Sequence, residues 1–437
     1  LIMQYNLSPE TLVGVQPKNM GVENYLNEKF NLQWARDKNV TVAPNGSMYR
    51  RDKQGFLPEL MEKMYGDRVV FKKKTIEAKK EFQKTKDPIY KNEISRCNNI
   101  QMAKKIALNS AYGAIGNQYF RYFDVRIAEA ITLGGQLSIR WVERDVNKFM
   151  NKLLNTDNVN YVVASDTDSI YLKLDKLVEK VCKDKSPQQI TDFINKAAED
   201  KIQKVIDDSF NNLAKYVNAY QQKMIMKREA IANKAIWVAK KRYMMNVFDE
   251  EGIRFDIPKL KIMGVEAVKS STPEVCRGKI KDAIRVIMND SEDALIKFVN
   301  DFKEVFKTLS PEEVAFPRSC NYIDKYVDPN SIYKKGTPIH VKGALIYNHH
   351  ILKNKLQRKY PLIKDGDKIK FLMLRQPNTV KDTVVSFSTK IPYEFDLHKY
   401  VDYETQFTKT FTDPLRFVLD SIGWKLEREA TLESFFV

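Results

Sequence analysis

Two carboxylates separated by one residue, Asp166 and Asp168, sit within Tyr161-Val-Val-Ala-Ser-Asp-Thr-Asp-Ser-Ile-Tyr-Leu-Lys-Leu174. Asp side chains this close repel each other unless a cation lies between them. Oxygen-only ligands suit Mg²⁺, which takes one or two carboxylates and keeps positions for water and phosphate. A second group is cationic: Arg68 and Lys72, spaced i, i+4, share a helix face. A third, Lys105, Asn109 and Tyr112, is spaced i, i+4, i+7 and shares a face of the next helical stretch. Arg grips phosphate through two hydrogen bonds, Lys acts as a point charge, and Tyr offers a flat surface to a base. Such faces would hold a triphosphate and a base pair. A bare Asp-x-Asp more often makes an Asx-rich turn, and most lysine runs are solvated faces, which is how Lys73, Lys74, Lys79 and Lys80 are read.

The elements that must position these groups follow from periodicity. An apolar run leads into Ser165–Asp168, and beyond it Ile170, Leu172 and Leu174 alternate with Tyr171 and Lys173, predicting a β-hairpin with the two Asp at its tip. From Pro58 the chain is charged and helical with no proline until Pro88; a second helix runs from about Ile89 to Gly113, giving an antiparallel helical hairpin turned at Asp87-Pro88. Ahead of it, Ala43-Pro-Asn-Gly46 is a turn signal followed by an expected hairpin over 47–55. Lys196–Tyr220 reads as a helix, and Thr272-Pro-Glu274 as a helix start with Thr272 as N-cap. His340–Tyr347 and Lys368–Leu374 read as strands, and His349 and His350 as ordinary surface or strand residues without metal-ligand spacing.

Composition sets the class. Length allows roughly two to four structural units. Lys and Arg exceed Asp and Glu by 73 to 56, a formal +17, which suits a polyanionic partner, nucleic acid before membrane, since no apolar run reaches membrane-span length. Cys97, Cys182, Cys276 and Cys320 are scattered with no CxxC pair, so a reducing compartment is expected rather than a disulfide scaffold. No zinc site, Walker loop or dinucleotide fingerprint occurs.

Three ordered motifs carry a resemblance. Lys105-Ile-Ala-Leu-Asn109-Ser110-Ala-Tyr112-Gly113 resembles the fingers motif KxxxNSxYG of family B DNA polymerases. Asp166-Thr-Asp168-Ser169 resembles their palm DTDS motif, and Lys240-Lys241-Arg242-Tyr243 their KKRY primer-binding motif. Asn6-Leu-Ser-Pro-Glu-Thr11, Pro258–Gly264 and Lys269–Pro273 add a similarity to T-even-type phage replicative polymerases, so the resemblance covers nearly the whole chain.

The resemblance implies an α+β, right-hand architecture: an antiparallel palm sheet, helical-hairpin fingers and a mixed thumb. Residues 1–57 and 118–264 would be palm, 58–117 fingers and 265–437 thumb. It implies template-directed addition of deoxynucleotides to a primer 3′-hydroxyl with two Mg²⁺ ions. Asp168 would be the principal metal ligand with Asp166 beside it, and Glu229 in Lys227-Arg-Glu-Ala-Ile-Ala232 an accessory carboxylate. Arg68 and Lys72 would bind the outer phosphates, and Lys105 would contact the triphosphate and protonate the leaving pyrophosphate. Asn109 and Tyr112 would line the nascent base pair, and Lys240–Tyr243 hold the primer.

Departures from the family pattern are also visible. Ala164-Ser165 replace the Tyr-Gly that precedes the palm motif. The family's DxxSLYPS motif, with another metal-binding Asp, and its exonuclease domain would both lie ahead of Leu1, so a separate or longer N-terminal part is expected to complete the site. Leu432, Phe435 and Phe436, spaced i, i+3, i+4 at the C-terminus, would form an apolar anchor for a partner's groove, similar to the family's sliding-clamp peptide, the alternative being a tail folded back onto the thumb. The implied location is the cytoplasm of an infected bacterial cell. Competing readings are a non-catalytic primer–template or clamp-binding subunit, against which the intact charged residues argue, and a related enzyme that makes or extends RNA.

Overall fold

The computed structural model describes residues 1–16, 20–265 and 269–426 and forms two compact units. One contains Leu1–Ile231 and Phe248–Ile257; the other contains Ala232–Val247 and the chain from Pro258 onward. The architecture is mixed helix and strand with antiparallel sheets, the expected fold class.

In the first unit, β1 (Leu12–Val15), β2 (Val40–Val42) and β3 (Ser47–Arg50) form an antiparallel sheet in the order β1-β3-β2. The turn at Ala43–Gly46 is the tip of the β2–β3 hairpin, with Gly46 at φ +84° and its N–H bonded to the Ala43 carbonyl at 2.9 Å. This corrects the hairpin expected over 47–55. Val40–Val42 is wholly buried and pairs back on β3, whereas Asp52 and Lys53 are exposed and the chain enters a helix at Phe56.

That helix, α1 (Phe56–Thr85), and α2 (Pro88–Ile115) form the antiparallel helical hairpin. Lys86 ends α1 in the left-handed region (φ +60°), and the Asp87 carboxylate accepts the Ile89 N–H at 2.9 Å to start α2, with Pro88 needing no partner there. Both helices bury few residues: α2 only Cys97, Gln101 and Ile115.

The central helix α3 (Val125–Leu154) buries residues at helical spacing and serves two cores. Ile127, Ala130, Leu137 and Trp141 join the core beneath β1–β3, while Val142, Val146 and Met150 pack with the β4–β5 hairpin described below. The helix expected at 196–220 starts earlier and ends earlier: α4 (Pro187–Ala197), opened by a Ser186–Gln189 capping box, runs through a π turn at Ala198–Ile202 into α5 (Gln203–Tyr216).

Strands β6 (Ala230–Ala239), β7 (Arg242–Glu250) and β8 (Ile253–Met263) form a sheet in sequence order. In the second unit, α6 (Glu274–Asn289) and α7 (Glu292–Thr308) share a core with β9 (Phe316–Ser319), β10 (Lys368–Met373) and β11 (Val384–Phe387), ordered β11-β10-β9. Helix α6 begins one residue later than expected, with Pro273 rather than Thr272 at the cap. The expected strand at Lys368 is β10, but the one at His340–Tyr347 is instead helical, within α8 (Ile339–Lys353). A short apolar run fits a buried helix as well as a strand. Here the helix packs on β11, and His349 and His350 are helical too. All four cysteines are free and buried.

Gly343 marks the closest approach of α8 to β11. A Cβ there would lie 2.5 Å from Ser386 Oγ and 2.8 Å from its backbone nitrogen. Gly343→Ala is expected to cost about 1–3 kcal/mol through overpacking. Gly278→Ala, whose added Cβ meets nothing within 4 Å on α6, should gain up to about 1 kcal/mol from helix propensity. Urea unfolding of both variants checks the contrast.

Candidate active site

The two carboxylates sit where the sequence places them. β4 (Val162–Asp166) and β5 (Ser169–Leu172) pair antiparallel, leaving Thr167-Asp168 as the tip. The Asp168 N–H bonds the Asp166 carbonyl at 2.6 Å around Thr167, which is held at φ +57°. A β-branched residue in the left-handed region is a true outlier, and such strain persists where the surroundings over-determine it. Those surroundings are visible. Ile170, Leu172 and Leu174 pack on Val142, Val146, Met150, Ile206 and Phe210. Asn147 of α3 accepts the Tyr161 and Val162 N–H groups at 2.8 and 3.0 Å. Asn151 accepts the Val159 N–H at 3.0 Å and donates to its carbonyl at 2.7 Å. The tip itself reaches water: Asp168 is exposed and Asp166 half-buried, accepting from Thr167 Oγ1 at 2.9 Å.

On the helical hairpin, Lys105, Asn109 and Tyr112 are exposed on one face of α2, beside exposed Met102 and Ile106. Lys104 Nζ lies 2.7 Å from Asp67 Oδ2, which sets the neighbours of Arg68 and Lys105 against each other across the hairpin. Lys72, one turn along from Arg68, is ion-paired to Glu251. Lys223 Nζ lies 2.6 Å from Glu62 Oε1, tying the start of α1 to the segment that leads to Glu229. Glu229 is exposed, and its carbonyl accepts the Glu251 N–H at 2.7 Å.

Sequence reasoning missed the tip of the β7–β8 hairpin, which belongs to this same unit. Asp249, 1% exposed, is ion-paired to Arg228 and lies 3.0 Å from Arg254 Nε without hydrogen-bond alignment there. Its Oδ1 also accepts the Gly252 N–H at 3.0 Å, and Arg254 reaches Asp192 of α4 at 2.9 Å. The turn signal was present, since Glu251-Gly252 separates two β-patterned runs, but nothing local names Lys72 as a partner. In the other unit, Lys240-Lys241 form the β6–β7 turn, exposed, with Lys241 at φ +62°. Arg242 lies over the Phe417 ring at 5.4 Å, and Tyr243 is buried against Trp237. Leu432, Phe435 and Phe436 lie outside the described residues.

The DNA polymerase family B profile matches residues 1–422. The chain belongs to DNA polymerase family B. It is 31% identical, over its whole length, to the DNA-directed DNA polymerases of Enterobacteria phage T4 and Escherichia phage RB69. It is 24% identical over 98% of its length to the DNA polymerase of Thermococcus gorgonarius. It covers 54% of each phage protein and 44% of the archaeal one, so the chain spans about half the length of the curated relatives it matches.

For a divalent metal, the family B hairpin tip offers the right donors: hard carboxylate oxygens, one exposed, on a turn held from behind. Among the described residues no three His, Cys, Asp or Glu side chains cluster to hold a metal, so Glu229 does not complete a triad with the two Asp.

Two predictions arise from these charges. Asp249→Asn leaves two guanidiniums facing a neutral side chain; both retain some water contact, so the loss should sit near the low end for a broken buried pair, about 3 kcal/mol in urea unfolding. Hydrogen bonds from Lys223 and Gln54 hold the Glu62 carboxyl below its ordinary range, and one from Lys104 does the same for Asp67. A lowered folded-state pKa gives stability that is full above the unfolded value, near about 4, and lost as pH falls through the folded value. Glu62→Gln with Asp67→Asn should therefore flatten the pH dependence of Tm below about pH 4 while changing its slope little between about pH 6 and 8.

Proposed function

We propose that this chain is the catalytic polymerase part of a replicative viral DNA polymerase, adding deoxynucleoside triphosphates to a primer 3′-hydroxyl under template direction. The observation that carries the reading is the strained Asp166-Thr-Asp168 tip, on a hairpin packed against an apolar core with Asp168 exposed and Asp166 half-buried, in a family B chain. In this reading residues 1–57 and 118–264 are palm, 58–117 fingers and 265–437 thumb.

Asp166 and Asp168 would hold Mg²⁺, with Glu229 as an accessory carboxylate. Two bound Mg²⁺ ions would lower the pKa of the attacking hydroxyl and neutralise the leaving pyrophosphate. Arg68 and Lys72 bind the outer phosphates; Lys105 contacts the triphosphate and can give its proton to pyrophosphate. Asn109 and Tyr112 shape the nascent pair beside the apolar surface of Met102 and Ile106. Lys240 and Lys241, exposed on a tight turn, hold the primer backbone with Arg242 and Tyr243 packed behind them. Base pairing selects the nucleotide, so protein contacts are to phosphate and depend strongly on salt.

A further Asp would come from the motif that the resemblance places ahead of residue 1, on the same polypeptide or a separate one that also carries the exonuclease. The Leu432–Phe436 segment would engage a sliding clamp. The work site would be the infected host's cytoplasm, and among the described residues no helix is long and apolar enough to cross a membrane.

Primer extension with Mg²⁺ and four deoxynucleotides, by the chain alone and with its source's upstream polymerase sequence added, tests this. Extension should require the upstream sequence and fall by at least about 10³-fold in Asp168→Ala, the scale of losing a principal charge-stabilising group. Template–primer binding without extension under both conditions would favour a non-catalytic binding subunit.

A further inference from the structure

The tip of the β7–β8 hairpin touches both halves of the site proposed above. Glu251 is its central residue. It sits in the left-handed region (φ +54°), followed by Gly252 at φ +81°. Two successive positive φ values make the tight turn that suits a twisted hairpin, but Glu is an unfavourable first residue there, where Asn, Asp or Gly is preferred. Its backbone N–H is bonded to the Glu229 carbonyl at 2.7 Å, and its carboxylate is ion-paired to Lys72 Nζ on α1. The buried Asp249, with Arg228 and Arg254 around it, keeps the turn from shifting, and Gln83 of α1 donates to the Arg254 carbonyl at 2.7 Å. The carboxylate is thus delivered to Lys72 by a rigid mount, although a side chain 30% exposed gains little from such a pair.

We propose that Glu251 is a placeholder for nucleotide phosphate on Lys72. It occupies the ammonium until a triphosphate arrives, and binding the triphosphate requires that the Lys72–Glu251 pair part. A singly charged carboxylate on a fixed turn loses that competition to a polyphosphate carrying several charges, but it competes effectively with weakly charged anions. Because Glu251 also bonds the Glu229 backbone, the same exchange removes one of the ties between α1 and the segment that carries the accessory carboxylate, leaving the Glu62–Lys223 pair in place. Glu251 is a positioning residue in this scheme, not a catalytic one. The inference rests on the reading of Lys72 as a triphosphate ligand.

The test is equilibrium binding of a fluorescent deoxynucleoside triphosphate to the full chain and to Glu251→Gln, Lys72→Ala and the double variant. Glu251→Asn serves as a second variant that tolerates the left-handed backbone, and Tm confirms folding. Removing the competing carboxylate should tighten binding about 2–5-fold, the scale of an exposed ion pair. Lys72→Ala should weaken binding, and in its background Glu251→Gln should have no effect. If Lys72→Ala weakens binding but the Glu251 variants do not tighten it, or tighten it equally without Lys72, the placeholder is overturned and the Lys72 reading stands. If Lys72→Ala leaves binding unchanged, the Lys72 reading itself fails and the placeholder goes with it.

Discussion

A carboxylate removed from water needs compensating charge, and Asp249 is almost fully buried. That need binds together parts of the first unit that are far apart in sequence. Arg228 approaches from the segment before β6, Arg254 from β8, and Arg254 in turn reaches Asp192 on α4. With its second role as acceptor for the Gly252 N–H, Asp249 leaves the β7–β8 tip one position to occupy. Glu229 and Lys72 are then both reached from that fixed point through Glu251. A neutral residue at 249 would leave the turn possible but its placement unspecified.

The carboxylate tip at Thr167 is fixed by different means. Its supports are apolar packing and the amides of Asn147 and Asn151, which satisfy backbone groups of the strand edge ahead of β4. These two side chains are one turn apart on α3, so a single helix face registers the incoming strand. Amide bonds of this kind do not depend on pH and are little affected by salt, whereas the ion pairs around α1 depend on both. The strained Thr167 backbone is therefore held by interactions that stay constant while the charge environment changes.

Much of this was legible in the sequence. Alternation of Ile170, Leu172 and Leu174 about an Asp-Thr-Asp turn defines a hairpin whatever surrounds it, and an uninterrupted charged run bounded by Asp87-Pro88 defines two helices. What failed did so for want of tertiary information. His340–Tyr347 is an apolar run whose helical state is set by α8 packing its Gly343 against β11, a contact 43 residues away in sequence. The turn at Ala43–Gly46 was recognised, but which flanking segment paired with which depended on the burial of Val40–Val42. The pairing of Lys72 with Glu251 spans 179 residues, and no local pattern encodes it.

The contrast between these supports bears on how the site can work. The helical hairpin α1–α2 is anchored at its base, where Leu57 and Ile115 enter the core beneath β1–β3, but farther along it buries little and is tied to the rest of its unit by half-exposed polar contacts: Glu62–Lys223, Lys72–Glu251 and Gln83 with the Arg254 carbonyl. Each is weak alone and each can be exchanged for water or a ligand phosphate at small net cost. The carboxylate hairpin packs on an apolar core and is held by half-buried amide supports, so displacing it would expose apolar surface. Local opening draws on the least stable contacts first, so the far part of α1–α2 should yield before β4–β5 does. A nucleotide gripped by Arg68, Lys72 and Lys105 would then be carried toward carboxylates that do not move. Lys72 would then both bind the ligand and be one of the charges that had held the helices in place.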